Sequence, residues 1–135
     1  MTAISITALY ASFLAIIFIV LSFRVIKLRR TLLVGIGDGG EKSLAKAIRV
    51  HGNFSEYAPF ALVMMVLLEL SGGNAWLLHA CGIALVASRI LHAVGITKSL
   101  GKSNQRVAGM LLTFGVILVC AIAILALQAL NILYR

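Results

Sequence analysis

Two runs without a charged residue set the first limit on what this chain can fold into: Thr2 to Phe23, 22 residues, and Val107 to Tyr134, 28 residues. A helix rises ~1.5 Å per residue and needs about 20 residues to cross a ~30 Å hydrocarbon core. Both runs are long enough. The first is not a signal peptide by its flanks: no basic segment precedes it, and Arg24 follows it directly. The rest of the 135 residues agrees, with 61% hydrophobic, 12% charged and a mean hydropathy of +1.08. Soluble domains carry about 25% charged residues, so this chain has too little polar surface to cover a water-soluble globule. A soluble enzyme, a disordered tail and a disulfide-stapled secreted domain are excluded.

Two further apolar stretches lie between these runs. One extends from about Gly52 to Leu70, interrupted by Glu56 and Glu69, and the other from Leu70 to Ser88. Ser71-Gly72-Gly73-Asn74 between them is a tight-turn signal, which makes the pair an antiparallel hairpin. Upstream, Glu41 to Arg49 reads EKSLAKAIR, a helical segment that continues into the second span. The expected fold is all-α: one membrane domain over 1–135, an up-down four-helix bundle with helices at about 3–30, 42–70, 74–96 and 104–132.

The formal charge of +8 has a simple reading in such a chain. Arg24, Lys27, Arg29, Arg30, Lys42, Lys46 and Arg49 fall between the first and second spans. Arg89, Lys98, Lys102 and Arg106 fall between or near the facing ends of the third and fourth, which leaves only Arg135 at the other side. Lys and Arg collect on the cytoplasmic side of membrane proteins, so both basic loops are expected in the cytosol and both termini outside. No nucleic-acid partner is needed to explain the basicity. Cys81 and Cys120 sit in apolar runs and form neither a CxxC nor a metal-ligand pattern with the histidines. They read as buried packing residues, and no metal is expected.

Ionisable residues inside a membrane are costly and are functional candidates by default. The richest cluster is RVHGNFSEYAP, Arg49 to Pro59. On a helix Arg49, Asn53 and Glu56 or Tyr57 stand at i, i+4 and i+7 or i+8 and share one face. Pro59 leaves the Ser55 carbonyl without its donor and is expected to loosen the helix there. Arg89 and His92 stand at i and i+3 on the third helix, and Arg106 opens the fourth. The structural alternative is an interhelical clamp with Glu56 paired to Arg89. His79 reads as a packed, hydrogen-bonded histidine, His51 as structural, and Glu69 as a solvated residue closing the second helix. Gly35-Ile-Gly-Asp-Gly-Gly40 satisfies GxGxxG, but it follows a membrane helix with no βαβ context. Asn53-Phe-Ser55 satisfies the glycosylation sequon on the side assigned to the cytosol, so it is a coincidence.

The string Arg49-x-x-x-Asn53-x-x-Glu56-Tyr57-x-Pro59 resembles the second-helix signature of the MAPEG family, the membrane-associated proteins in eicosanoid and glutathione metabolism. Ala87-Ser-Arg89-x-x-His92-x-x-Gly95 is similar to the family's third-helix arginine segment. The order and spacing of the four helices agree as well, over nearly the whole chain, and the chain resembles a bacterial member of the family, expected in the inner membrane. The resemblance implies a homotrimer that binds glutathione, as co-substrate, between subunits at the cytoplasmic end. It implies glutathione contacts for Arg49, Asn53, Glu56 and Tyr57, with Arg29 near a family arginine that binds a glutathione carboxylate. Arg89 matches the third-helix arginine, and Arg106 the fourth-helix arginine proposed to stabilise the thiolate. There are two departures. His92 stands where several members carry tyrosine, and the segment from Gly95 to Arg106 is longer than in the mammalian eicosanoid enzymes, which bears on the alignment of Arg106.

The expected activity is that of a glutathione transferase, with conjugation or peroxidase-type reduction of a hydrophobic electrophile delivered by the lipid bilayer. Two other classes fit a chain of this shape. One is a small four-helix transporter using Glu56, although small drug exporters place their carboxylate in the first span, which here has none. The other is a non-catalytic membrane assembly protein that retains the bundle.

Overall fold

The computed structural model describes residues 4–98 and 103–133. It holds four helices and, among the described residues, no strand: α1 (Ile6–Leu32), α2 (Lys42–Leu70), α3 (Ala75–Lys98) and α4 (Asn104–Leu133). All four are long and apolar enough to cross a membrane. The expected all-α up-down bundle is the fold. Lys102 and Arg135, counted above among the cations that orient the chain, lie outside the described residues.

Each helix buries one seam at three- and four-residue steps. In α2 the buried positions are Leu44, Ala47, Val50, Asn53, Phe54, Ala58, Ala61, Met65 and Leu68; in α4 they are Gly109, Thr113, Val116 and Cys120. This spacing keeps a narrow stripe facing the neighbouring helices and leaves the rest of each surface to lipid. The outward sides are apolar: Phe13, Ile16 and Phe23 on α1, and Leu118, Ile122 and Leu125 on α4, are all exposed large side chains. Packing is uneven. α2 and α3 form the middle of the bundle, each touching the other three helices, while α1 and α4 occupy opposite corners and do not meet.

The helix ends explain the polar residues outside the core. α2 begins at Lys42, as EKSLAKAIR predicts, and runs unbroken through Pro59 to Leu70. The expected loosening at Pro59 therefore does not interrupt the helix. Gly72 adopts φ +81°, which its missing side chain permits, and the Asn74 carboxamide oxygen accepts the Trp76 and Leu77 N–H groups at 2.9 and 3.2 Å to start α3. Glu69 is not simply solvated. Its carboxylate accepts the backbone N–H groups of Ser5, Ile6 and Thr7 at 3.0, 2.9 and 2.8 Å, and so caps the first turn of α1 from the end of α2. A carboxylate there also meets the positive end of the helix dipole.

Residues 34–41 form the loop between α1 and α2. Gly37 and Gly40 take φ of +69° and +78°, and the Asp38 carboxylate accepts the Gly40 N–H at 2.9 Å. The GxGxxG match is thus a set of turn glycines. The histidines assigned to structure are so placed: His79 Nδ1 lies 2.9 Å from the Tyr10 hydroxyl, and His51 Nε2 3.0 Å from Ser22 Oγ. Cys81 and Cys120 are buried where α3 meets α4, their sulfurs 4.0 Å apart.

Candidate functional site

The C-terminal ends of α1 and α3 and the N-terminal ends of α2 and α4 come together at one end of the bundle, which gathers the basic residues. Here α2 projects Arg49, Asn53 and Tyr57, one helical turn apart, toward α3 and α4. Two glycines let α4 approach. A Cβ on Gly109 would stand 2.7 Å from the Ser88 carbonyl oxygen and 2.8 Å from the His92 nitrogen, and one on Gly95 would stand 2.7 Å from the Arg106 nitrogen. Neither fits without moving backbone. Ser103 caps the start of α4, its hydroxyl accepting the Arg106 N–H at 3.2 Å.

These approaches enclose a cavity of about 420 Å³, lined by Arg49, Asn53, Tyr57, His92, Ser103 and Arg106, with Val107, Met110 and Leu111 as its apolar wall. Cavities that hold small organic ligands measure ≈ 300–1,000 Å³. Five of the eight expected site residues are brought together here. Arg49 is exposed at the mouth, Arg106 and Tyr57 are half-buried, and Asn53 and His92 are buried. Two arginines against no carboxylate in the lining make this an anion-selecting space, and the positive end of the α4 dipole adds to it. Leu111 also lines a second, almost wholly apolar groove of about 670 Å³ between α3 and α4, shared with Ala84 and Gly115. Polar cavity and lipid-facing groove therefore meet at one side chain.

The other three expected residues lie elsewhere. Arg89 is 1% exposed, behind the cavity wall. It donates from Nη1 to the Asn53 carboxamide oxygen at 3.0 Å, from Nη2 to the Gly109 carbonyl at 3.3 Å and to the Thr113 hydroxyl, and from Nε to Ser88 Oγ at 3.3 Å. Its guanidinium lies 6.0 Å from the centre of the Tyr57 ring. A buried cation is thus held by neutral acceptors and one aromatic face, and it orients Asn53 and Tyr57 instead of reaching the space in front of them. Glu56 does not pair with it. Arg89 points into the bundle, whereas Glu56 is on the outer side of α2, where its carboxylate meets Arg49 Nη1 at 3.5 Å with both side chains more than half exposed. The Glu56–Arg89 clamp that stood as the structural alternative does not form, and Glu56 meets Arg49 instead. Arg29 is also engaged: its Nη1 donates to the carbonyls of Val34, Gly35 and Gly37 at 3.4, 3.3 and 2.9 Å, tying down the loop after α1.

Ser88, Ser103, Met110 and Thr113 were missed by sequence reasoning. Small hydroxyls and a thioether inside apolar helices carry no motif. Thr113, four residues after Gly109 on the buried seam of α4, was the one detectable hint.

Known proteins match this arrangement over most of its length. The model of the MAPEG family matches residues 7–126. A protein described as inner membrane protein YecN, from Escherichia coli strain K12, is 40% identical over 118 residues, covering 87% of this chain and 88% of its own. The protein of the same description from Escherichia coli O6:H1 strain CFT073 matches to the same extent. With the arginine-bearing signature of α2 and α3 set in four spanning helices, and the family match running from the start of α1 well into α4, the chain is a membrane protein of the MAPEG family.

Proposed function

We propose that this protein is a glutathione transferase-like membrane enzyme, binding glutathione between α2, α3 and α4 and activating its thiol against hydrophobic electrophiles. One observation carries the reading. Arg49 and Arg106 share a cavity with Asn53, Tyr57 and His92, and Leu111 on the apolar side of that cavity also lines the α3–α4 groove. Such a space suits a ligand with carboxylates at one end that must meet an apolar partner at the other.

In this reading Arg49 takes a glutathione carboxylate as a charge-assisted donor, and Asn53 and Tyr57, fixed by Arg89, hydrogen-bond the peptide backbone of the ligand. Arg106 faces the sulfur. A free thiol of pKa ~8.5 is mostly protonated at neutral pH, and a neighbouring cation lowers that pKa by about 1–3 units. The thiol proton leaves to solvent. The thiolate then attacks the electrophilic carbon; with an aryl halide, the carbon–sulfur bond forms as the carbon–halogen bond breaks and halide departs. Holding the two reactants at the boundary of polar cavity and apolar groove contributes through proximity. No cysteine of the chain takes part.

The proposal places the protein in the bacterial inner membrane, with both basic loops in the cytosol and both termini outside. From the family likeness it also takes a homotrimer, in which Arg29 and Glu56, outside the cavity of a single chain, would meet glutathione across a subunit boundary. The test is conjugation of glutathione to a generic aryl halide by the detergent-solubilised protein, with glutathione binding read by calorimetry. Saturable binding and turnover support the proposal. An intact trimer with no heat of binding would point instead to a non-catalytic assembly protein.

A further inference from the structure

A second basic cavity lies at the same end of the bundle, on its other side. It measures about 470 Å³, sits between α1, α2 and α3, and is lined chiefly by Arg24, Lys27, Lys42, Lys46, Ser43 and Thr97. Four cations share it, and among the described residues none of the four has a carboxylate within ion-pair distance. Two are held in place: Arg24 Nη1 donates to the Thr97 hydroxyl at 3.0 Å and Lys46 Nζ to the Thr97 carbonyl at 3.4 Å. Thr97 Oγ1 in turn donates to the Ala93 carbonyl at 2.8 Å, which leaves its lone pairs to Arg24. Lys27 and Lys42 make no hydrogen bond among the described residues. The first turn of α2 holds no acidic residue, and Glu41 at its N-cap position makes no side-chain capping hydrogen bond. Like charges gathered without counter-charges are unfavourable, and an anion relieves them.

We infer that this cavity binds the phosphate of an anionic phospholipid headgroup. The cations stand where α1 leaves its 22-residue uncharged run, at the depth of the headgroups if α1 spans the membrane. Lys27 belongs both to this cavity and to a shallow groove along α1 formed with Phe23, Ile26, Arg30 and Thr31, in which Phe23 and Ile26 are 66% and 49% exposed. A phosphate held by Lys27, Lys42 and Lys46 therefore has two exposed apolar side chains beside it for its acyl chains, which a soluble phosphate does not use. Basic pockets between spanning helices bind acidic headgroups in this way. The site is separate from the cavity of Arg49 and Arg106 and does not depend on what that cavity binds.

The experiment is native mass spectrometry of the full chain in detergent, with phosphatidylglycerol and phosphatidylcholine of identical acyl chains offered together. The wild type is expected to retain phosphatidylglycerol selectively. Each lost lysine should lower that selectivity about fivefold, so Lys42→Gln with Lys46→Gln lowers it about 25-fold. Lys27→Gln, which removes no hydrogen bond among the described residues, is the second variant should the pair fail to fold, and is expected to lose about fivefold by the same rule. Arg49→Gln, a cation that lines neither this cavity nor the groove beside it, should retain the wild-type selectivity. The inference is overturned by equal retention of the two lipids or by an equal loss in Arg49→Gln. It is also overturned if inorganic phosphate displaces phosphatidylglycerol, which would make the ligand a soluble anion, or if glutathione does, which would merge this cavity with the other site.

Discussion

The two ends of the bundle use charge in different ways. At the end where α2 turns into α3, Glu69 spends both carboxylate oxygens on the N–H groups of Ser5, Ile6 and Thr7. Nothing of it is left for a ligand. At the opposite end Arg49 meets Glu56 at 3.5 Å from a single nitrogen, with both side chains exposed, and Arg106 lines the cavity. Exposed pairs of this kind are worth about 0–1 kcal/mol, so a ligand carboxylate can compete for Arg49 at small cost. The difference separates frame from site: a charge fully taken up by backbone or buried acceptors holds the fold, while one with free donors over a cavity can recognise something. By that criterion Arg89 belongs to the frame, although it stands at the functional end.

Substitutions at the two kinds of residue should separate stability from binding. Arg89→Ala is expected to have the largest effect. It opens a hole in the core and strips Asn53, Thr113 and the Gly109 carbonyl of a donor, so thermal unfolding in detergent should show a loss of about 3–5 kcal/mol. Arg89→Lys should not rescue it, since an ammonium cannot reproduce the fork of donors. Next comes Arg106→Ala, which should leave the melting temperature near wild type and reduce kcat/KM by about 10²–10³, the usual loss for one donor at a developing anion. Its rate should also rise with pH toward the free thiol value of ~8.5, whereas the wild type reaches its plateau at lower pH because the thiolate is already formed there.

Arg49→Ala should weaken glutathione binding by about 1.5–3 kcal/mol, or roughly 10- to 150-fold in Kd by calorimetry, with stability unchanged. Glu69→Gln is the smallest and the converse case. It should cost about 0.5–2 kcal/mol of stability through a weaker cap on α1 and leave the glutathione Kd where it was. A Glu69→Gln variant that lost glutathione, or an Arg49→Ala variant that lost stability, would break the distinction between the two ends.

Much of this is legible in the residues alone, for identifiable reasons. Hydrophobic length and three- and four-residue periodicity are strong signals, so α2 falls at 42–70 as read, and the ends of the other helices shift by three residues or fewer. The shared face of Arg49, Asn53 and Tyr57 is legible because helical spacing dictates it. Depth is not: spacing tells which way Arg89 points along α3, and not that Asn53 and Tyr57 stand between it and the cavity. Tertiary partners over long separations are equally hidden. Glu69 caps a helix more than 60 residues earlier, and Arg29 finds the carbonyls of a loop whose path its glycines determine.

The most direct test is the ultraviolet absorbance of the glutathione thiolate as glutathione is titrated into the detergent-solubilised protein at a pH below 8. A saturable thiolate signal that disappears in Arg106→Ala, while calorimetric binding persists there and falls in Arg49→Ala, is the predicted result. Glutathione that binds without a thiolate signal in the wild type, or a signal that survives Arg106→Ala undiminished, would contradict the assignment of this cavity.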